Sequence, residues 1–208
     1  MPRLYLIGAA SLAALAFAAC GDSTPDMADN TTTTTTETTT TDTAALDTEA
    51  GIREGQEFVN AAGQAGMVEI RTSEMALEKS TNAEVKAFAQ KIIDDHKAAA
   101  EKLNAAASAA ALAAPPATLD DFHMRRINDL VETDGDEDFD PDYMALQVDA
   151  HNDAIKLFED YSKDVNAISQ LKMFSDETLP TLVAHKADAE RVRDLVTKAD
   201  DKKEANPS

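Results

Sequence analysis

Residues 85–103 read VKAFAQKIIDDHKAAAEKL, and their spacing decides the fold class. On a helix turning about 100° per residue, Val85, Ala89, Ile92, His96, Ala99 and Leu103 fall within about 40° of one line. That line is the apolar stripe of an amphipathic helix, with lysines, glutamine and acids on the other side. His96 stands where an apolar side chain is expected. A buried polar group without a partner costs about 1–3 kcal/mol, so the pattern calls for partners elsewhere in the chain.

The helical period recurs on both sides of this stretch. A first helix is predicted over 53–80, with Phe58, Ala62, Ala65, Thr72 and Ala76 inward and Glu69 about 20° from Phe58 on the same line. Ser80-Thr81-Asn82 supplies a break with capping residues and an acid at Glu84. The second helix should run on to 114, where Pro115-Pro116 stops it. A third, shorter helix over 118–131 has Thr118 as its N-cap. Its inner side is Leu119, Phe122, Arg126, Ile127 and Leu130, with His123 among them. The acidic loop TDGDED at 133–138 lacks the ligand order of an EF-hand and reads as a solvated turn.

A fourth helix over 141–163 opens with Pro in its first turn. Its inner residues are Tyr143, Leu146, Ala150, Ala154, Leu157, Phe158 and Tyr161, with His151 at the edge of that face. The fifth helix, 168–198, turns Leu171, Phe174, Thr178, Leu182, Ala189, Val192 and Val196 inward, with His185 inside the face. Pro180 should kink it. Two pieces, VKAFAQKIIDDHKAAAEKL and LKMFSDETLPTLVAHKADAERV, echo each other weakly, which fits two stacked helical hairpins. Four long helices with short turns and one crossover predict an antiparallel bundle.

Composition agrees with an all-helical core. Apolar residues make up 43% of the 208, aromatics only 5% and Trp is absent, so alanine carries the packing, which suits close helices and not a sheet. A formal net charge of −20 opposes binding to nucleic acid and to anionic membrane surfaces through basic patches. The single cysteine, Cys20, excludes an internal disulfide framework and a thiolate metal cluster.

Residues 1–20 read MPRLYLIGAASLAALAFAAC, one positive charge followed by a secretory-length apolar run. Ala18-Ala19-Cys20-Gly21 resembles a bacterial lipobox, with Phe17 where Leu is usual. This predicts export, lipidation of Cys20 and anchoring to the envelope, facing the periplasm. Gly21 after the cysteine favours the outer membrane over retention at the inner one. The alternatives are an ordinary cleaved signal or a membrane anchor, though the run is short for a span. Residues 21–52, with TTTTTTETTTTDT at their centre, read as a solvated tether, and 53–200 as the folded domain. Residues 201–208 read as a polar tail.

Each long helix offers one ligand-type side chain on or beside its inner face: Glu69, His96, His151 and His185. Counted from the connecting turns, their depths allow convergence. Imidazoles and a carboxylate suit zinc, copper, iron or nickel, and Asp95 and Asp149 could act as outer acceptors for the rings. Asp95 points away from His96 on its own helix, so it is expected to serve a neighbour or solvent. His123 is a secondary candidate, fitted to a structural bond or a lid. The other reading is four separate polar residues, each bonded within an alanine-rich core. No G-x-S-x-G element, free thiol or glycine-rich phosphate loop supports nucleophilic or phosphoryl chemistry.

The stretches FVNAAGQAGMVEI, VKAFAQKIIDDHKAA, LDDFHMRRINDL, FDPDYMALQVDAHNDAIKLF and LKMFSDETLPTLVAHKADA resemble, in this order, the bacterial family called "domain of unknown function 4142". The resemblance covers about 57–195. It implies a ferritin-like fold, an all-α four-helix bundle with a short extra helix in the crossover, and family-typical positions for His96, His123, His151 and His185. It implies no activity. Ile93 and Leu182 occupy the positions three before His96 and His185, so the Glu-x-x-His pattern of di-iron bundles is missing. The leading expectation is an exported, lipid-anchored bundle that acts by binding, with copper, zinc or iron held by the inward residues, and not as an enzyme. A metal-free structural or stress-related envelope protein is the alternative, followed by a metal-dependent oxidase or peroxidase. Protein partners are not indicated by the sequence.

Overall fold

The computed structural model describes residues 49–132 and 139–205. The signal segment with Cys20, nearly all of the Thr-rich tract, the loop 133–138 and the end of the tail lie outside the described residues. Among the described residues five helices follow in chain order: α1 Glu49–Lys79, α2 Ala83–Ala109, α3 Asp121–Val131, α4 Phe139–Lys163 and α5 Ser169–Ala205. No described helix is long and apolar enough to cross a membrane.

Several boundaries differ from the periodicity. Helix α1 starts four residues early, at Glu49, with Gly51 and Gly55 buried in it. A side chain on Gly55 would press on Ile168, so this glycine allows α5 to approach closely, and packing overrides poor helix propensity. Helix α2 ends at Ala109 and not 114. Ala111 takes φ 55°, and Leu112 N donates to Ala107 O at 2.9 Å, which closes the helix with a left-handed cap. Leu112 then packs against the apolar cluster below. Helix α3 is capped by Asp120, which accepts from His123 N at 2.9 Å, and not by Thr118. Its shorter span buries Ile127 and Leu130 but leaves Phe122 57% exposed, against the expectation for that residue. Helix α5 runs unbroken through Pro180 to Ala205, beyond the predicted end at 198.

The apolar residues form two clusters, and their membership fixes the helix directions. One cluster joins Phe58 and Ala62 of α1, Leu103 and Ala107 of α2, Phe158 and Tyr161 of α4, Leu171 and Phe174 of α5, and Ile168 just before α5. The other joins Ala76, Val85, Phe88, Ile92, Tyr143, Met144, Val192 and Val196. The start of α1 thus lies level with the end of α2, the end of α4 and the start of α5. Helices α1 and α4 are neighbours, as are α2 and α5, so every long helix runs antiparallel to both helices beside it. The segment between α2 and α4, including α3, must therefore travel the length of the bundle.

That segment is held against α1 by two glutamines. Gln56 accepts from Ala113 N at 2.9 Å and donates to Ala113 O at 3.2 Å. Two turns on, buried Gln64 accepts from Asp120 N at 3.2 Å and donates to Thr118 O at 2.9 Å. Each side-chain amide satisfies backbone groups of a stretch that has no secondary structure of its own.

Candidate metal centre

Between the two apolar clusters, the bundle carries a layer of buried polar side chains. Glu69, His151 and His185 are each exposed by 1% or less, and His96 by 7%. The apolar stripe that flagged His96 is buried as the period predicts, with Val85, Ala89 and Ile92 at 0%. His151 was expected at the edge of its face, yet it is fully buried. The inner face of α4 includes Met144, Gln147 and Val148, so a polar glutamine at a core position hides the true centre of the stripe.

The three imidazoles gather tightly. Ring centroids are 5.7 Å apart for His96 and His151, 5.5 Å for His96 and His185, and 5.4 Å for His151 and His185. One nitrogen from each ring lies within 4.8 Å of the other two. A metal ion bonded to three nitrogens at about 2.0–2.1 Å needs them closer still, so binding would draw the rings together.

Two of the rings are held by an acceptor at one nitrogen, and the third lies against Glu69. His151 Nδ1 donates to the Gln147 carbonyl at 2.8 Å. His185 Nε2 donates to Asp95 Oδ2 at 2.8 Å. His96 Nδ1 lies 3.1 Å from Glu69 Oε2, and Glu69 Oε1 lies 3.2 Å from His151 Nδ1. Carbonyls and carboxylates only accept, so these contacts leave a lone pair on the opposite nitrogens of His151 and His185. His96 Nε2, His151 Nε2 and His185 Nδ1 are buried and have no hydrogen-bond partner. Three orphaned imidazole nitrogens in one layer are costly for a metal-free packing motif and well suited to an ion.

Burial sets the protonation states. It pushes His96 down to about 3, with the charges of His151 and His185 adding to the effect. It lowers His151 to about 4, against the pull of the Gln147 carbonyl. His185 is lowered by burial too, although its bond to Asp95 opposes this. Burial raises the Glu69 carboxyl to about 8, with Arg126 acting in the other direction. All three rings are therefore neutral near pH 7, the form in which imidazole binds metals.

Other candidates of the sequence lie elsewhere. His123, on α3, bonds Asp120 Oδ1 at 2.8 Å and is not in the cluster. Asp95 serves a neighbouring helix, as its direction on α2 suggested, whereas Asp149 is exposed. The Gln147 carbonyl was not anticipated; its position four residues before His151 on one helix was the available clue. Beyond it, the polar layer continues through Gln147 Nε2 to Thr72 Oγ1 at 3.1 Å, and Ser73 Oγ meets Tyr143 Oη at 2.8 Å.

A family model described as "Domain of unknown function (DUF4142)" matches residues 35–192. No curated protein and no solved structure matches the chain.

Proposed function

For this chain, which belongs to the DUF4142 family, we propose a binding function: it holds one transition-metal ion in the core of its bundle through His96, His151 and His185. The carrying observation is the set of unpartnered nitrogens, His96 Nε2, His151 Nε2 and His185 Nδ1, on three rings whose ligand atoms lie within 4.8 Å. Asp95 and the Gln147 carbonyl fix the tautomers of His185 and His151 from the outer side of each ring, and Glu69 lies against His96 Nδ1. An ion's charge would favour the ionised form of Glu69 and so offset part of the cost of burying that carboxyl. Neutral imidazoles suit zinc, copper and iron alike.

Protein purified without a His-tag is expected to carry about one ion per chain. His96→Ala and His185→Ala should each weaken binding by more than the roughly 10–100-fold that losing an outer partner costs. Added ion at about a thousand times its Kd should stabilise the parent by about 4 kcal/mol and the variants by less than about 1.5 kcal/mol. Background metal in the parent, together with His→Gln variants that change stability alone, would identify the layer as a packing device instead.

In this proposal the domain works at the cell envelope, exported by residues 1–20 and anchored by a lipid on Cys20. The support is the sequence Ala18-Ala19-Cys20-Gly21 after an apolar run, with a Thr-rich stretch following. Cys20→Ser should shift the protein from the membrane to the soluble fraction or leave its leader uncleaved. A variant that is cleaved to the mature size and still stays with the membrane would rule the lipid out.

A further inference from the structure

A cavity of about 370 Å³ adjoins the histidine layer on the side of the Phe58 cluster. Small side chains make it: Ala62, Ala65 and Gly66 of α1, Ala99 of α2 and Ala154 of α4 stand where larger apolar residues would close a core. Phe158, Phe174 and Leu182 supply apolar wall, and Pro115–Ala117 of the crossover cover one side. Lining residues Ala100, Asn104, Pro116 and Thr181 are exposed, so the cavity reaches the surface. At its buried end stand His96, His185 and Glu69, and half-exposed Asp95 lines it nearer the surface.

No lysine or arginine lines this space, and its inner acids are carboxyls. An anion therefore finds no positive partner here unless an ion occupies the histidines. Three protein nitrogens leave a tetrahedral ion one position for an outside ligand. The volume falls within the range of small-molecule pockets, and the apolar wall suits a short hydrocarbon body.

We propose that the cavity takes up a medium-chain aliphatic carboxylate, its tail against the alanine and phenylalanine walls and its head on the ion held by the three histidines. The idea rests on the metal reading above and adds a ligand to it. Uptake is conditional on the ion, because only the ion supplies positive charge at the inner end.

Cobalt(II) loaded into the metal-free protein serves as the probe, since its visible bands respond to a change of ligand. Octanoate should shift those bands and bind at least about 100-fold more tightly than acetate, well within what six extra buried methylenes allow. Chelator-treated protein should show no octanoate binding by calorimetry. Ala99→Leu and, separately, Ala65→Leu should keep the cobalt spectrum and lose most of the preference for octanoate. Equal affinity for octanoate and acetate with normal cobalt binding overturns the pocket and leaves the metal site standing. Octanoate binding that persists without the ion overturns the anchoring role. Failure to bind cobalt overturns both readings.

Discussion

Metal-free protein held in chelator is expected to lose stability steeply as the pH falls from about 6.5 to 4. The sign follows from which state binds more protons. In the unfolded chain each histidine titrates near 6.5, whereas in the core His96 is pushed to about 3, His151 to about 4 and His185 also down. Unfolding therefore takes up to three protons in this window, and acid favours the unfolded chain. Glu69 works the other way: its folded value of about 8 stands above its ordinary 4.5, so the native state holds the extra proton between those limits. Its contribution is full below 4.5 and fades as the pH rises to 8. Between 6.5 and 4.5 the net is at most two protons, or roughly 3 kcal/mol per pH unit. Domains of this size are stable by about 5–15 kcal/mol, so unfolding should be complete before the carboxylates of the surface are all protonated. Urea midpoints measured from pH 7.5 down to 4 in chelator test this. A flat profile to pH 5 would mean that the folded core takes up as many protons as the unfolded chain over this range, so that its histidines are not held neutral by burial. Bound metal should move the acid transition to lower pH, because ion and proton compete for the same nitrogens.

Phe58→Ala is expected to cost about 3–5 kcal/mol, the largest stability loss from any single truncation away from the histidines. Phe58 is 2% exposed and stacks on Tyr161 with centroids 4.1 Å apart and planes 12° from parallel. It also meets Phe158 edge-on at 5.1 Å and Phe174 at 6.4 Å. Such pairs add about 0.5–1.5 kcal/mol beyond area burial. Tyr161 in turn accepts from Ile168 N at 3.1 Å, so the ring that Phe58 supports also helps fix the turn from α4 into α5. Urea denaturation of metal-loaded protein gives the number, and a loss under about 1.5 kcal/mol would contradict this account. Metal stoichiometry should not change, since the histidines occupy a separate layer.

Helix order, direction and most inner faces were legible because long amphipathic helices repeat their pattern many times over. Leu171, Leu182, Ala189, Val192 and Val196 on α5 are all buried as their period predicts. The pattern misled where a polar residue belongs to the core. Gln147 at 0% exposure rotated the apparent face of α4 and put His151 at its edge. Helix ends were less legible for a different reason: Ala111 in a left-handed cap has no glycine to announce it, and Gly51 and Gly55 look like breakers until the approach of α5 is known. At the site, residue types on inner faces pointed to side chains that meet, but spacing does not encode which atoms do. Glu69 was read as a candidate ligand, and its oxygens lie against the Nδ1 atoms of two rings. Asp95 faces His185 across 90 residues of chain, a pairing that no local period encodes.

The polar layer has a consequence for which structure the chain adopts, whatever it binds. Faces built of alanine are smooth, and two such helices can slide past one another with little change in buried area. A slide of one turn, about 5.4 Å, would take Glu69 from between His96 and His151 and part Asp95 from His185. Every such offset strands polar groups in an apolar interior, at about 1–3 kcal/mol each. Glu69, His96, His151 and His185 therefore act as a notch that admits one axial alignment of the four helices, selecting a single register where alanine alone would tolerate several.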